Sequence, residues 1–235
     1  MQNNFELSQP QTLIWGARSQ GRILLSMIRE REMGFSNPVF FDSTVRYSKL
    51  DGVVVIRTVS EIQKVLGALE NFYVAIGGEH GETRCYISNA LRDYGKNSPN
   101  LISPYANIHP SVSLSNGLQI MPGAQITNFA SIGNDVIVNT NGSVDHESQL
   151  GDGVHVMAGA CIAGRVKVGN FSVIGTNATV LPDLEIGNHV YIGAGSVVTR
   201  DIHAPGIYVG SPAKRIKDWN YVLDKNFINN ILRNA

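Results

Sequence analysis

Two hydrophobic rhythms divide the chain. Up to about residue 100, short apolar runs alternate with longer segments whose apolar residues recur every three or four positions. The runs at 12–17 (TLIWGA), 38–42 (PVFFD), 53–56 (VVVI) and 72–78 (FYVAIGG) predict strands. The stretches 22–32, 60–70 and 83–94 carry helical periodicity. Strands alternating with helices predict a small Rossmann-like parallel α/β sheet, with ligands held beyond the carboxyl ends of its strands.

From Ile102 the rhythm changes. Stepping by six from there to Val198 meets seventeen positions, and every one is Ile, Val or Leu. Glycine often follows the aliphatic residue (Gly133, Gly151, Gly169, Gly187), and a small or β-branched residue often stands four places after it (Ala124, Ser148, Ala160, Ser172). A helix of 3.6 residues per turn cannot use a period of six, and a plain strand alternates with a period of two. A two-residue strand plus a turn, repeated three times per coil, does use it. The pattern predicts a parallel β-helix of hexapeptide repeats, with coils stacked about 4.8 Å apart. The expected organisation is an α/β domain over 1–101, a β-helix over 102–215, and a helical tail over 216–235 that caps or flanks the prism.

Composition narrows the partners. The 235 residues hold 19 Lys plus Arg against 19 Asp plus Glu, a formal net charge of zero, which does not point to nucleic acid or an anionic membrane. No apolar run reaches the length of a bilayer span, and the first residues lack a secretory pattern. The two cysteines, Cys85 and Cys161, lie far apart and suit free thiols in the cytoplasm.

Candidate chemistry falls at two places. The GARSQG loop (Gly16, Ala17, Arg18, Ser19, Gln20, Gly21) joins the first strand to the first helix, where backbone N–H groups and the helix dipole favour a phosphate. Asp42 and Gly77 mark two other strand ends, and Asp42 suits either a ribose hydroxyl or a local turn. In the β-helix, His146 is followed by Glu147. A histidine titrates near neutrality and serves as a general base, and a neighbouring carboxylate fixes its tautomer. On chemistry alone His146 also reads as a surface turn residue.

The GARSQG loop, the unbroken hexapeptides, the strings NTNGSVDHESQLGDGVHV and AGRVKVG, and VGSPAKRI near the end together resemble the bacterial two-domain hexapeptide-repeat sugar acyltransferases. These include the nucleotide-amino-sugar N-acetyltransferases of the bacillosamine pathway and the sialic acid O-acetyltransferases. The resemblance covers nearly the whole chain. It implies a left-handed β-helix, a homotrimer with active sites between subunits, acetyl-coenzyme A as acyl donor, no metal, and a nucleotide sugar held by the N-terminal domain through Gly16 to Gln20, Asp42 and Gly77. It further implies His146 as catalytic base with Glu147 tuning it. Asn139, His155, Gly164, Thr176, Ala194, Pro212, Lys214 and Arg215 would line the coenzyme A site. Relatives that bind UDP-sugars read GASGHG in the first loop, so this chain departs there. The function implied is N-acetylation of a nucleotide-linked amino sugar by direct attack. O-acetylation of a sugar remains an alternative. A zinc carbonic anhydrase would need a three-histidine ligand set, for which the chain lacks the H-x-x-x-x-H pair, and a non-enzymatic scaffold would have no need of the VDHE and GSPAK segments.

Overall fold

The computed structural model describes residues 11–30, 37–219, 223 and 225–233. They fall into two compact units: Met1–Ile76 with Ile87–Pro99 and Asp224–Ala235, and Gly77–Tyr86 with Asn100–Leu223. Both boundaries differ from the sequence expectation. The segment 77–86 joins the β-helix because it brings in Arg84, a fully buried guanidinium whose Nε and Nη2 donate to Asp135 O at 2.7 Å and Gly153 O at 2.8 Å. A buried charge needs such acceptors.

The first unit is a five-stranded sheet. Its strands are β1 (Thr12–Trp15), β2 (Pro38–Phe41), β3 (Lys49–Leu50), β4 (Val53–Ile56) and β5 (Asn71–Val74), in the order β3-β4-β2-β1-β5. All pairs are parallel except the short β3, which runs antiparallel to β4 at the edge and was too brief to leave a sequence pattern. Leu13, Ile14, Phe40, Phe41 and Phe72 are fully buried, the continuous apolar run expected of strands covered on both faces. Helix α1 (Ser19–Glu30) buries Leu24, Leu25 and Ile28; the rest of its expected length, 31–32, lies outside the described residues. Helix α2 (Val59–Leu66) starts on a capping box between Thr58 and Glu61. Helix α3 (Gly81–Asp93) begins in the second unit and continues in the first. The last described helix is α4 (Lys225–Arg233). It belongs to the first unit, buries Ile228 and Ile231, and its last carbonyls, at Asn230 and Ile231, accept from Gln63 of α2 at 3.3 and 3.2 Å. That side-chain amide satisfies carbonyls which the helix end leaves unpaired.

The second unit is the parallel β-helix. Three sheets form its faces, and from Leu101 to Val198 the parallel pairs between successive coils are offset by 18 residues, as in Ile126↔Val144, Val144↔Ile162 and Ile162↔Val180, before the last coil shortens to an offset of 16 at Val190↔Gly206. The first face holds Ile137–Val138, His155–Val156 and Val173–Ile174; the second, Ser143–Val144 and Cys161–Ile162; the third, Gln149–Leu150 and Lys167–Val168. The seventeen aliphatics all point inward. They are fully buried in the middle coils and only partly buried at Ile102, Ile108 and Leu114, where one side has no coil above.

The turns explain the other periodic residues. From Leu114 to Ile192 the third residue after the aliphatic is left-handed, as at Gly117 (φ 72), Asn141 (φ 55), Glu147 (φ 58) and Gly195 (φ 66). Glycine, Asn and Asp fill most of these places, as the conformation favours. Gly151 is needed for a different reason: a Cβ there would lie 2.3 Å from Asn170 Oδ1 and 2.8 Å from its backbone N in the next coil. The buried Ser148 donates to Ala163 O at 2.8 Å and accepts from Val166 N at 3.1 Å, tying one coil to the next at a corner too tight for a larger side chain.

Candidate active site

His146 sits on the turn between the second and third faces. Its neighbour Asp145 accepts from the His146 backbone N–H at 2.7 Å, from Thr127 Oγ1 at 2.9 Å, and from the imidazole Nδ1 at 3.0 Å. These bonds, the backbone one first, hold the Asp145 carboxyl below the usual carboxylate range, so it is ionised at neutral pH. An anion at Nδ1 fixes the proton there and leaves Nε2 as the acceptor. Nε2 lies 3.1 Å from Arg165 Nη1 in the following coil. The ring packs over Gly164, where an added Cβ would fall 2.2 Å from His146 Cε1. Among the described residues the Gly164 N–H has no protein acceptor, which leaves it available as a donor.

The acid on the imidazole is therefore Asp145 and not Glu147. Glu147 occupies the left-handed position of the turn, where its backbone N–H donates to Asn128 O at 2.9 Å and its side chain is exposed. The sequence reading gave the orienting role to Glu147 and did not consider Asp145. The bond from Thr127, one coil back, marks Asp145 only once the 18-residue register is known.

His155 lies on the first face and is 4 % exposed. Its Nδ1 donates to Gly78 O at 3.0 Å, and Nε2 faces Asn139 Nδ2 at 3.5 Å. Burial, helped by the positive charge of Arg84, pushes its pKa down to about 4. The ring is neutral at physiological pH. Asn139, Thr176 and Ala194 share the corner between the first and second faces. The 18-residue register stacks Thr140, Ala158, Thr176 and Ala194 there, through bonds such as Gly195 N to Thr176 O at 2.8 Å. Thr176 and Ala194 are exposed. Pro212 follows a cis peptide bond, and Lys214 and Arg215 begin the antiparallel strand Lys214–Lys217. Arg215 already donates to Pro205 O at 3.0 Å and pairs with Asp218, whereas Lys214 is exposed.

Within one chain the structure thus joins His155 to Asn139, and His146 to Gly164, but sets these pairs at different corners of the prism with the second face between them. Among the described residues no group of three His, Cys, Asp or Glu side chains could hold a metal ion, and no helix is long and apolar enough to cross a membrane.

In the first unit, the Gly16–Gln20 loop follows β1, whose connection runs to β2 on one side while β5, reached from β4, lies on the other; the strand order reverses there, the usual ligand crevice of such sheets. Asp42 holds this loop. Its carboxylate accepts from Ala17 N at 3.0 Å, Thr44 N at 2.9 Å and Thr44 Oγ1 at 2.6 Å. Burial pushes the Asp42 carboxyl up, but the bonds from Thr44 and Ala17, with the charge of Arg18, outweigh it and keep it ionised. The turn role therefore takes up most of its acceptor capacity. Arg18 Nη2 donates to Thr44 Oγ1 at 3.1 Å and is exposed. Gly77 belongs to the other compact unit.

Comparison with known proteins fixes the class. Residues 165–200 match the model of the bacterial transferase hexapeptide (six repeats). PerB from Caulobacter crescentus, solved with CoA and GDP-perosamine, is 30% identical with a TM-score of 0.77, over 88% of this chain and 97% of that one. The acetyltransferase domain of PglB from Neisseria gonorrhoeae, solved with acetyl coenzyme A, is 27% identical with a TM-score of 0.80, over 88% of this chain and 100% of that one. WeeI from Acinetobacter baumannii shares the fold at 24% identity and a TM-score of 0.80, over 88% of this chain and 99% of that one. No curated protein matches the chain significantly. The chain belongs to the two-domain hexapeptide-repeat sugar acyltransferases. It is an acyltransferase, and its β-helix is left-handed.

Proposed function

We propose that this protein is an acetyl-coenzyme A-dependent N-acetyltransferase acting on a nucleotide-linked amino sugar, with His146 as general base. The observation that carries the reading is the His146 imidazole, oriented by Asp145 at Nδ1 and presenting Nε2 at an exposed corner. Similarity along most of the chain to proteins solved with CoA and GDP-perosamine, or with acetyl coenzyme A, supports the substrates.

The chemistry follows from these groups. The sugar amine attacks the thioester carbonyl carbon and forms a C–N bond. The developing oxyanion takes the Gly164 N–H, and the amine proton passes to His146 Nε2. The C–S bond then breaks, and the coenzyme A thiolate recovers that proton from the imidazole. No covalent enzyme intermediate is needed. His155, neutral and paired with Asn139, lines the acyl pocket, while Thr176, Ala194, Pro212, Lys214 and Arg215 flank coenzyme A. The Gly16–Gln20 loop, with Arg18, takes the nucleotide diphosphate. Because His146 and the Asn139–His155 pair lie on different corners of one prism, a complete site needs a second copy, and a homotrimer closes three such sites.

The test is thiol release from acetyl-coenzyme A with a panel of UDP-, dTDP- and GDP-linked amino sugars and their hydroxyl counterparts. Turnover with an amino sugar, reduced about 10²- to 10⁴-fold in His146→Ala and indifferent to chelators, is the expected result. Turnover only with hydroxyl sugars would replace N- by O-acetylation, and full activity in His146→Ala would remove the base.

A further inference from the structure

Arg165 is out of character for its place. It occupies the left-handed turn position, at φ 58, which Gly, Asn or Asp fills at most other corners. A non-glycine residue there costs about 1 kcal/mol of backbone strain, which Phe129, Glu147, Phe171 and His189 also bear, so what sets Arg165 apart is where its guanidinium goes. Two of its three nitrogens are spent on Asp183, Nε to Oδ1 at 2.6 Å and Nη2 to Oδ2 at 2.8 Å. The remaining nitrogen, Nη1, is aimed at His146 Nε2 at 3.1 Å.

That contact has a chemical consequence. With Nδ1–H committed to Asp145, Nε2 carries the only lone pair of the imidazole, and Arg165 is already bonded to it. A guanidinium does not give up its proton, so it cannot act as a relay between the base and the substrate. Nor is its Nε/Nη2 edge open to an anion, since Asp183 fills it.

We infer that Arg165 is a resident competitor for the base: in the resting protomer its Nη1–H occupies the lone pair that must receive the acceptor's proton, and an incoming amine has to displace it. This inference rests on the proposed role of His146. Arg165 and Asp183 then set how readily the acceptor is engaged. Asp183 anchors the guanidinium so that it swings aside without leaving the turn. The side chains of Arg165 and Asp183 are 48% and 60% exposed, which keeps the competition mild.

The experiment compares wild type with Arg165→Gly and Arg165→Asn. Both residues accept the left-handed conformation, so the turn is preserved. The first readout is carbethoxylation of His146 by diethyl pyrocarbonate at pH 7, followed by peptide mass spectrometry. The reagent attacks the free imidazole lone pair, and labelling in both variants is expected to run roughly two- to fivefold faster, the range set by an exposed charged contact. The second readout is kcat/KM for the amino sugar, expected to rise by a similar factor. Unchanged or slower labelling overturns the inference, and so does a fall in kcat/KM, which would make Arg165 a helper of the base. The labelling needs no sugar. If no amino sugar is turned over by any of the three proteins, the proposed reaction fails while the labelling ratio still decides the place of Arg165.

Discussion

At the scale of single residues, the two acids flanking His146 have different duties. Asp145 sits against Nδ1 with three donors converging on it, whereas Glu147 is placed outward by the left-handed turn. Replacing Asp145 by Asn puts an amide donor where the ring also needs to donate, which favours the wrong tautomer. Asp145→Asn is expected to lower kcat/KM about a hundredfold or more, and Glu147→Gln by less than about tenfold, measured as thiol release at saturating acetyl-coenzyme A. His146 stood out in the sequence through the resemblance of its VDHE segment, since its chemistry alone also suits a surface turn. The contacts that hold its surroundings did not, because in this fold many side chains meet residues 18 positions away. Thr127 with Asp145, and Arg165 with Asp183, are each one coil apart.

At the scale of elements, the six-residue spacing made the strands legible almost to the residue, since only one repeat of that period buries its aliphatics. The glycines after the aliphatics were visible as a pattern, but their cause lies in coil-to-coil distance. Gly151→Ala would press a methyl onto Asn170 and is expected to cost about 1–3 kcal/mol in urea unfolding. The strand His155–Val156 carries a pH signature. Folding depresses the His155 pKa from 6.5 to about 4, so the unfolded chain binds a proton that the folded chain refuses between those values. The associated stability is complete above pH 6.5 and falls as the pH drops towards 4, by about 3 kcal/mol in all. Urea midpoints at pH 7.5 and 5 are expected to separate more in wild type than in His155→Gln, whose amide can still donate to Gly78 O.

At the scale of the molecule, the proposed site is shared between copies, and that makes a genetic prediction. His146→Ala and Asn139→Ala each damage one half of every site. Co-expressed in equal amounts, they form mixed trimers in which roughly a quarter of the sites join two intact halves. Activity near that fraction of wild type, from two nearly inactive parents, is the expected outcome, and no recovery would place both halves within one subunit. Whole-molecule organisation was the least legible level. The apolar face of α4 announced a helix but not its partner, because amphipathic helices match any apolar surface. Its position against α2 depends on Gln63, a residue without a distinctive pattern.

The 18-residue register, unbroken from Leu101 to Val198, also limits how such a chain can diversify. Gaining or losing one residue within a strand or an unprotected turn would rotate every later aliphatic off the axis and strand the Asp145, Arg165 and Asp183 contacts on wrong neighbours. Length there can grow only by a whole coil at a time, or as a loop that leaves and rejoins a corner without changing the count. Novelty in what the protein recognises is thereby pushed into the α/β unit and into the few corner side chains, such as Arg165, that can be exchanged without moving anything else.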